Sequence, residues 1–358
     1  MATADRSVSL SEPMDTTRTA YPAGGWRFDL TVALLCAWFT IGAFVDGYAH
    51  NHGIVDNTFF TPWHALLYSG IGAVGMFLAL TQYRNVGRGY AWSRALPRGY
   101  LMSLVGVVSF FAAGGFDFIW HELFGFEANL EALLSPAHLV LATSGVLISG
   151  GPIRAAWGRR QTDAGWRAML PTLLALLILL SLLTFFTQYA SIFTNARLFT
   201  IVPPNARYAW DVTAIANVIL PALLMIFVIL LAIRRWRLPF GALTLLIGVN
   251  ALLMFLVAWE RTQEFWVVLV AALIGGLIGD VLLGVLRPSV ERPMALRVFA
   301  FAVPFAVVGL ALAGLLLRFG IFWSPHMWLG ATFTAGIIGL GESYLLIPPA
   351  LPDDPDAA

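Results

Sequence analysis

Ten apolar segments of membrane-spanning length, joined by connections that are alternately rich and poor in arginine, constrain this chain more than any other feature. They lie at roughly 30–50, 63–82, 99–121, 136–153, 168–192, 209–233, 241–259, 264–286, 298–317 and 326–346. An apolar helix of about 20 residues crosses a hydrocarbon core of about 30 Å, and it satisfies its own backbone where water cannot. The predicted fold class is therefore all-α: a polytopic integral membrane helix bundle of about ten transmembrane helices. The low charge agrees, since 11% of residues are Asp, Glu, Lys or Arg against about a quarter in a soluble domain.

Arginine sets the expected orientation, because short cytoplasmic loops carry the excess of positive charge. One set of connections holds Arg84, Arg88, Arg94 and Arg98, then Arg154, Arg159, Arg160 and Arg167, then Arg234, Arg235 and Arg237, then Arg287, Arg292 and Arg297. The alternate connections hold none (51–62, 122–135), one (Arg261, Arg318) or two (Arg197, Arg207). Both termini are thus predicted to be cytoplasmic. The Ser-, Thr- and Asp-rich residues 1–25 read as a disordered cytoplasmic tail, and 348–358 as an acidic tail. No cleavable signal peptide is expected, because the first apolar run is long enough to span and lacks a following cleavage site. All six histidines (His50, His52, His64, His121, His138 and His326) then fall at non-cytoplasmic helix ends.

Four of these histidines belong to a repeat. Asp46 is followed by His50, an acid at Asp56 and the triplet Pro62-Trp63-His64; Asp117 is followed by His121, an acid at Glu127 and Pro136-Ala137-His138. Asp117 and His121 each stand 71 positions after Asp46 and His50, and both acids follow their His by six. Matched order in a chain with six His and 20 acidic residues marks an internal duplication of a two-helix unit in helices one to four. The chain accordingly divides into a duplicated metal-site half, 26–153, and a scaffold half, 154–347.

An Asp and a His four apart share one face of a helix. Pro62 and Pro136 suit the first turn of a helix, so His64 and His138 lie at matching depth on the neighbouring antiparallel helix. Asp46, His50 and His64, and likewise Asp117, His121 and His138, each form a two-His, one-carboxylate set. Such donors suit Zn, Cu(II) or Fe(II) and not an all-oxygen Ca or Mg site. Asp56 and Glu127 are candidates to orient a ligand imidazole, to complete the coordination sphere or to carry protons. His326 is a candidate site member or an interfacial helix-start residue, and His52 reads as a solvated loop residue. Trp63, Trp120 and Tyr68 flank the site at the depth of an aromatic belt. The structural alternative for the Asp–His pairs is helix-packing glue, yet intramembrane ionisable groups are costly and usually functional. Asn217 and Asn250 read as helix–helix hydrogen-bonding residues, and Asp280 and Glu342 either pair with Arg or cap a polar path. The single Cys36 excludes disulfides within the chain and cysteine-based metal sites.

The run Asp46-x-x-x-His50…His64 resembles the metal motif in the C subunit of the copper membrane monooxygenases, the methane and ammonia oxidisers. The resemblance spans residues 46–64, with a second copy at 117–138. It implies copper as the metal, ahead of zinc or iron, with Asp46, His50 and His64 as ligands. It also implies a redox or oxygenase-like activity and possible partner membrane subunits.

The residues themselves leave several functions open: a membrane metalloprotein with an extracytoplasmic His/Asp site, a metal- or proton-coupled transporter, a membrane zinc hydrolase using Asp56 or Glu127 as base, or a haem b protein with paired axial His. The lipid bilayer is the one expected surrounding. A net charge of +1 with no basic helix or phosphate loop excludes nucleic acid.

Overall fold

Long apolar runs fold here as the helices they predict. The computed structural model describes residues 20–54, 60–125, 130–161, 164–201, 207–258 and 262–348; Asp56, Glu127, most of the N-terminal tail and all but Pro348 of the acidic tail lie outside them. The described helices are α1 (Trp26–Asn51), α2 (Pro62–Val86), α3 (Leu101–Phe124), the single turn α4 (Glu131–Leu134), α5 (Pro136–Ser149), α6 (Gly151–Trp157), α7 (Trp166–Phe186), α8 (Arg207–Arg235), α9 (Ala242–Val257), α10 (Val267–Leu286), α11 (Pro293–Phe319) and α12 (Pro325–Leu346).

Eight of these are long and apolar enough to cross a membrane, and a ninth crossing results if α5 and α6 form one broken span. The fourth predicted segment, 136–153, is thus two helices that meet at 41°. Its break falls at Gly150-Gly151-Pro152, where two flexible residues precede one that cannot donate to the preceding turn. The seventh segment folds as α9, only 16 residues long, or about 24 Å at 1.5 Å per residue. It is shorter than the predicted 241–259 because the chain turns extended at Ala258.

The two ends of the bundle differ in chemistry. At one end the arginine-rich turns are sewn together. Arg235 donates to the Trp157 and Arg159 carbonyls, Arg154 to the Gly99 carbonyl, Trp26 to the Arg167 carbonyl and Trp166 to the Phe240 carbonyl. At the other end Asn51, closing α1, donates to the Gln188 side chain after α7 and to the Val257 carbonyl closing α9. The short α9 therefore still runs from the arginine end to the histidine end.

Two apolar cores hold the helices. One joins α1, α2, α3 and α5 through Val32, Phe39, Ile71, Leu78, Phe110 and Ile148, with Ile178 and Leu182 of α7 reaching into it. The larger one lies among α7 to α12. Without a strong apolar preference for protein over lipid, such helices associate by close packing at small residues. α1 and α2 do so at Gly42 and Gly70. A Cβ at Gly42 would sit 2.6 Å from the Leu67 Cα, and one at Gly70 would sit 2.6 Å from the Phe39 backbone nitrogen. This close approach brings the end of α1 beside the start of α2, where the first Asp/His group forms.

Candidate metal centres

Each group is assembled by the same local device. Thr61 and Ser135 are N-caps whose hydroxyls accept the backbone N–H of His64 and His138, at 3.1 and 3.3 Å, and a proline opens each helix. A capped first turn with fixed φ leaves the third helical residue pointing back across the helix start. The signal for this was present in the sequence as Thr61-Pro-x-His64 and Ser135-Pro-x-His138, one residue upstream of the repeat as read above.

The antiparallel partner supplies the other two side chains. In the first group His64 Nε2 lies 3.5 Å from Asp46 Oδ1, and His50 Nε2 lies 3.9 Å from Asp46 Oδ2. In the second, His121 Nε2 and His138 Nδ1 lie 3.6 and 3.8 Å from Asp117 Oδ1. Within each group the three ligand atoms all fall within 4.8 Å of one another. The second group is the more buried, with Asp117 among the buried residues. The groups are close enough for the charges of Asp117 and His138 to act on Asp46.

These separations carry chemical information. A charged imidazole–carboxylate hydrogen bond closes to about 2.7–2.9 Å, and none of the four contacts is that short. Asp46 Oδ1 and Asp117 Oδ1 are instead buried oxygens with no hydrogen-bond partner among the described residues. Leaving such an atom unsatisfied costs about 1–3 kcal/mol. Ligand bonds of 2.0–2.2 Å in a tetrahedral sphere place neighbouring donors about 3.3–3.6 Å apart. The donor set, the spacing and the orphaned oxygens all fit a transition-metal ion.

Other side chains shape the surroundings. Tyr68, one turn along α2 from His64, meets its ring edge-on at 6.3 Å and packs on Phe110 and Phe111 of α3. Gly114, three residues before Asp117, admits the Tyr68 hydroxyl: a Cβ there would lie 2.5 Å from that oxygen. Trp120 packs between Phe116 and Phe124. His52 turns away, stacked on Tyr48 at 3.9 Å with its Nδ1 2.9 Å from the Tyr48 carbonyl oxygen. His326 is exposed in the first turn of α12 and belongs to neither group.

Asp280, Asn217 and Asn250 in the second half have other partners, whereas Glu342 Oε2 on α12 is buried with no hydrogen-bond partner among the described residues. Asp280 on α10 accepts the Leu243 and Thr244 N–H groups and the Thr244 hydroxyl, capping α9 from a neighbouring helix. Asn250 donates to Thr184 and Asn217 accepts from Asn195. Both oxygens of Asp280 are thus engaged by the start of α9, and no arginine pairs with it among the described residues.

Together these features define a multi-pass, membrane-type helix bundle carrying two His/Asp groups able to hold a metal ion. A scan against protein-family models, a search of the curated proteins and a search of the solved structures each find no match.

Proposed function

We propose that the chain is a membrane metalloprotein that binds two transition-metal ions, copper ahead of zinc or iron, in mononuclear centres at the extracytoplasmic end of a ten-crossing bundle. The observation that carries the reading is the pair of buried, unpartnered carboxylate oxygens, each 3.5–3.8 Å from an imidazole nitrogen or two. Copper stands first through the resemblance of Asp46, His50 and His64 to the C-subunit motif of the copper monooxygenases, and a redox or oxygenase-like role goes with it. The excess of arginine in the turns at the opposite end supports a cytoplasmic orientation for that end, and α9 is counted as a crossing because it joins the two ends.

Bound at three protein ligands, such an ion supplies redox or Lewis-acid chemistry at its remaining coordination positions. The chain does the rest. Asp46 and Asp117 offset the ion's charge in an apolar setting. Thr61 and Ser135 fix the helix starts that aim His64 and His138. Tyr68 and the phenylalanines of α3 exclude water from the inner side. Transport is the alternative: Asp280, Asn217 and Asn250 are committed to capping and helix pairing, which leaves Glu342 on α12 as the one of the four polar stations with an unpartnered buried oxygen among the described residues.

Equilibrium dialysis of the metal-free, detergent-purified protein against Cu(II) tests the proposal. Two ions per chain are expected, falling to one in Asp46→Asn and one in Asp117→Asn. Failure of the wild-type protein to bind any ion above a chelator-treated control would overturn it.

A further inference from the structure

The two groups share a plan and differ in access. In the first, the side chains are 40% exposed for His50, 16% for Asp46 and 17% for His64. In the second, His121 and Asp117 are only 8% and 4% exposed, and His138 reaches 24%. The most exposed ligand of all, His50, stands one residue from the end of α1, where the last turn of a helix lacks intrahelical partners for its carbonyls.

Support from behind differs in the same sense. His121 Nδ1, the nitrogen turned away from Asp117, faces the Gly125 carbonyl oxygen at 3.4 Å. The outer nitrogen of His50 has no such partner among the described residues. An imidazole held by an outer partner stays in place and binds more tightly, an effect of about 10–100-fold in metal affinity. Resting on the metal reading above, we infer that the Asp46 centre is the one with an open position for an exogenous ligand, a small anion, while the Asp117 centre is closed and keeps its ion.

Charge selects the class of ligand. Two neutral imidazoles and one carboxylate leave a divalent ion with one net positive charge at the margin of an apolar bundle. A small anion neutralises that charge, and the bound ion dominates the local field. The anion approaches from the His50 side, because Tyr68 fills the side toward α3.

The test uses the full-length protein in detergent, loaded with Cu(II), as wild type, His50→Ala and His121→Ala. Azide probes the open position through its charge-transfer absorption, and release of copper to EDTA reports exchange. The wild type should hold two ions and lose one about 10-fold faster than the other, in line with the missing outer support. His50→Ala should lose the fast phase and the azide band, and His121→Ala should keep both. Where an alanine variant fails to accumulate, Asp46→Asn and Asp117→Asn, which preserve side-chain volume, give the same contrast. Two ions released at one rate, or an azide band that survives His50→Ala and vanishes in His121→Ala, would overturn the assignment. A wild type that binds no copper would instead overturn the metal reading beneath it.

Discussion

Three buried aspartates and the part-buried Asp46 divide this molecule into two kinds of polar site. At the arginine end, Asp29 accepts the Tyr100 hydroxyl at 2.5 Å and pairs with Arg159, while Asp280 accepts three hydrogen bonds from the start of α9. At the histidine end, Asp46 and Asp117 each keep a buried oxygen that no donor among the described residues reaches. All four face the same penalty for placing a carboxylate in an apolar bundle. The first two offset it inside the protein and so hold the fold together. The second two leave it outstanding, as does Glu342 Oε2 on α12, and it is the two histidines beside each aspartate that make these two the candidate metal groups. Burial does not make this division, since Asp117 is as buried as Asp29; the count of donors around each carboxylate does.

Substitution can break that contrast. The largest stability loss is expected for Asp280→Ala, which strands two backbone N–H groups and a hydroxyl at the buried start of α9. A loss of about 3 kcal/mol or more should appear as a lower midpoint in denaturant titration of the detergent-solubilised protein, with Asp280→Asn recovering part of it. Asp29→Ala should cost less, about 1–2 kcal/mol, because Arg159 is partly exposed and water replaces much of its pairing. At the histidine end the order reverses. In metal-free protein, Asp46→Asn and Asp117→Asn should each move the midpoint by less than about 1 kcal/mol, since no native hydrogen bond to the orphaned oxygen is lost. What they should abolish is stabilisation by metal, which at a hundredfold excess over Kd amounts to about 2.7 kcal/mol per centre. A metal-free Asp46→Asn protein as damaged as Asp280→Ala would erase the distinction between the two ends.

Ser135→Ala sharpens the comparison on a smaller scale. It removes the N-cap of α5 and the hydroxyl beside His138 together. A loss of about 1 kcal/mol in stability should accompany weaker binding at the Asp117 centre alone, because the cap that aims His138 is lost. Competition with a chelator of known affinity measures the second effect, and unchanged affinity at the Asp46 centre serves as the internal control.

Much of the helical plan was readable before any coordinates, because an apolar run of about 20 residues has few alternatives in a bilayer. The pairing of Asp46 with His50, and of Asp117 with His121, was legible for a local reason: four residues make about one helical turn. The approach of His64 and His138 was inferable from the antiparallel connection and the proline at each helix start. What escaped was long-range. Nothing near Asp280 in the chain says that its partners are the N–H groups of residues 243 and 244 on another helix. Asp29, Tyr100 and Arg159 likewise meet from three separate segments. The Tyr68 hydroxyl fits against α3 only because residue 114 is glycine, a complementarity between helices that no single segment displays. The length of α9 was overread since an apolar run marks what lipid tolerates, not where the helical turn stops.

The most direct test of the central claim is elemental analysis by mass spectrometry of the detergent-purified protein beside a His50→Ala/His121→Ala double variant, which removes one imidazole from each group. The account predicts about two transition-metal ions per wild-type chain, copper foremost, and their loss in the variant. Equal metal content in the two proteins, or none in the wild type at neutral pH without chelator, would contradict it.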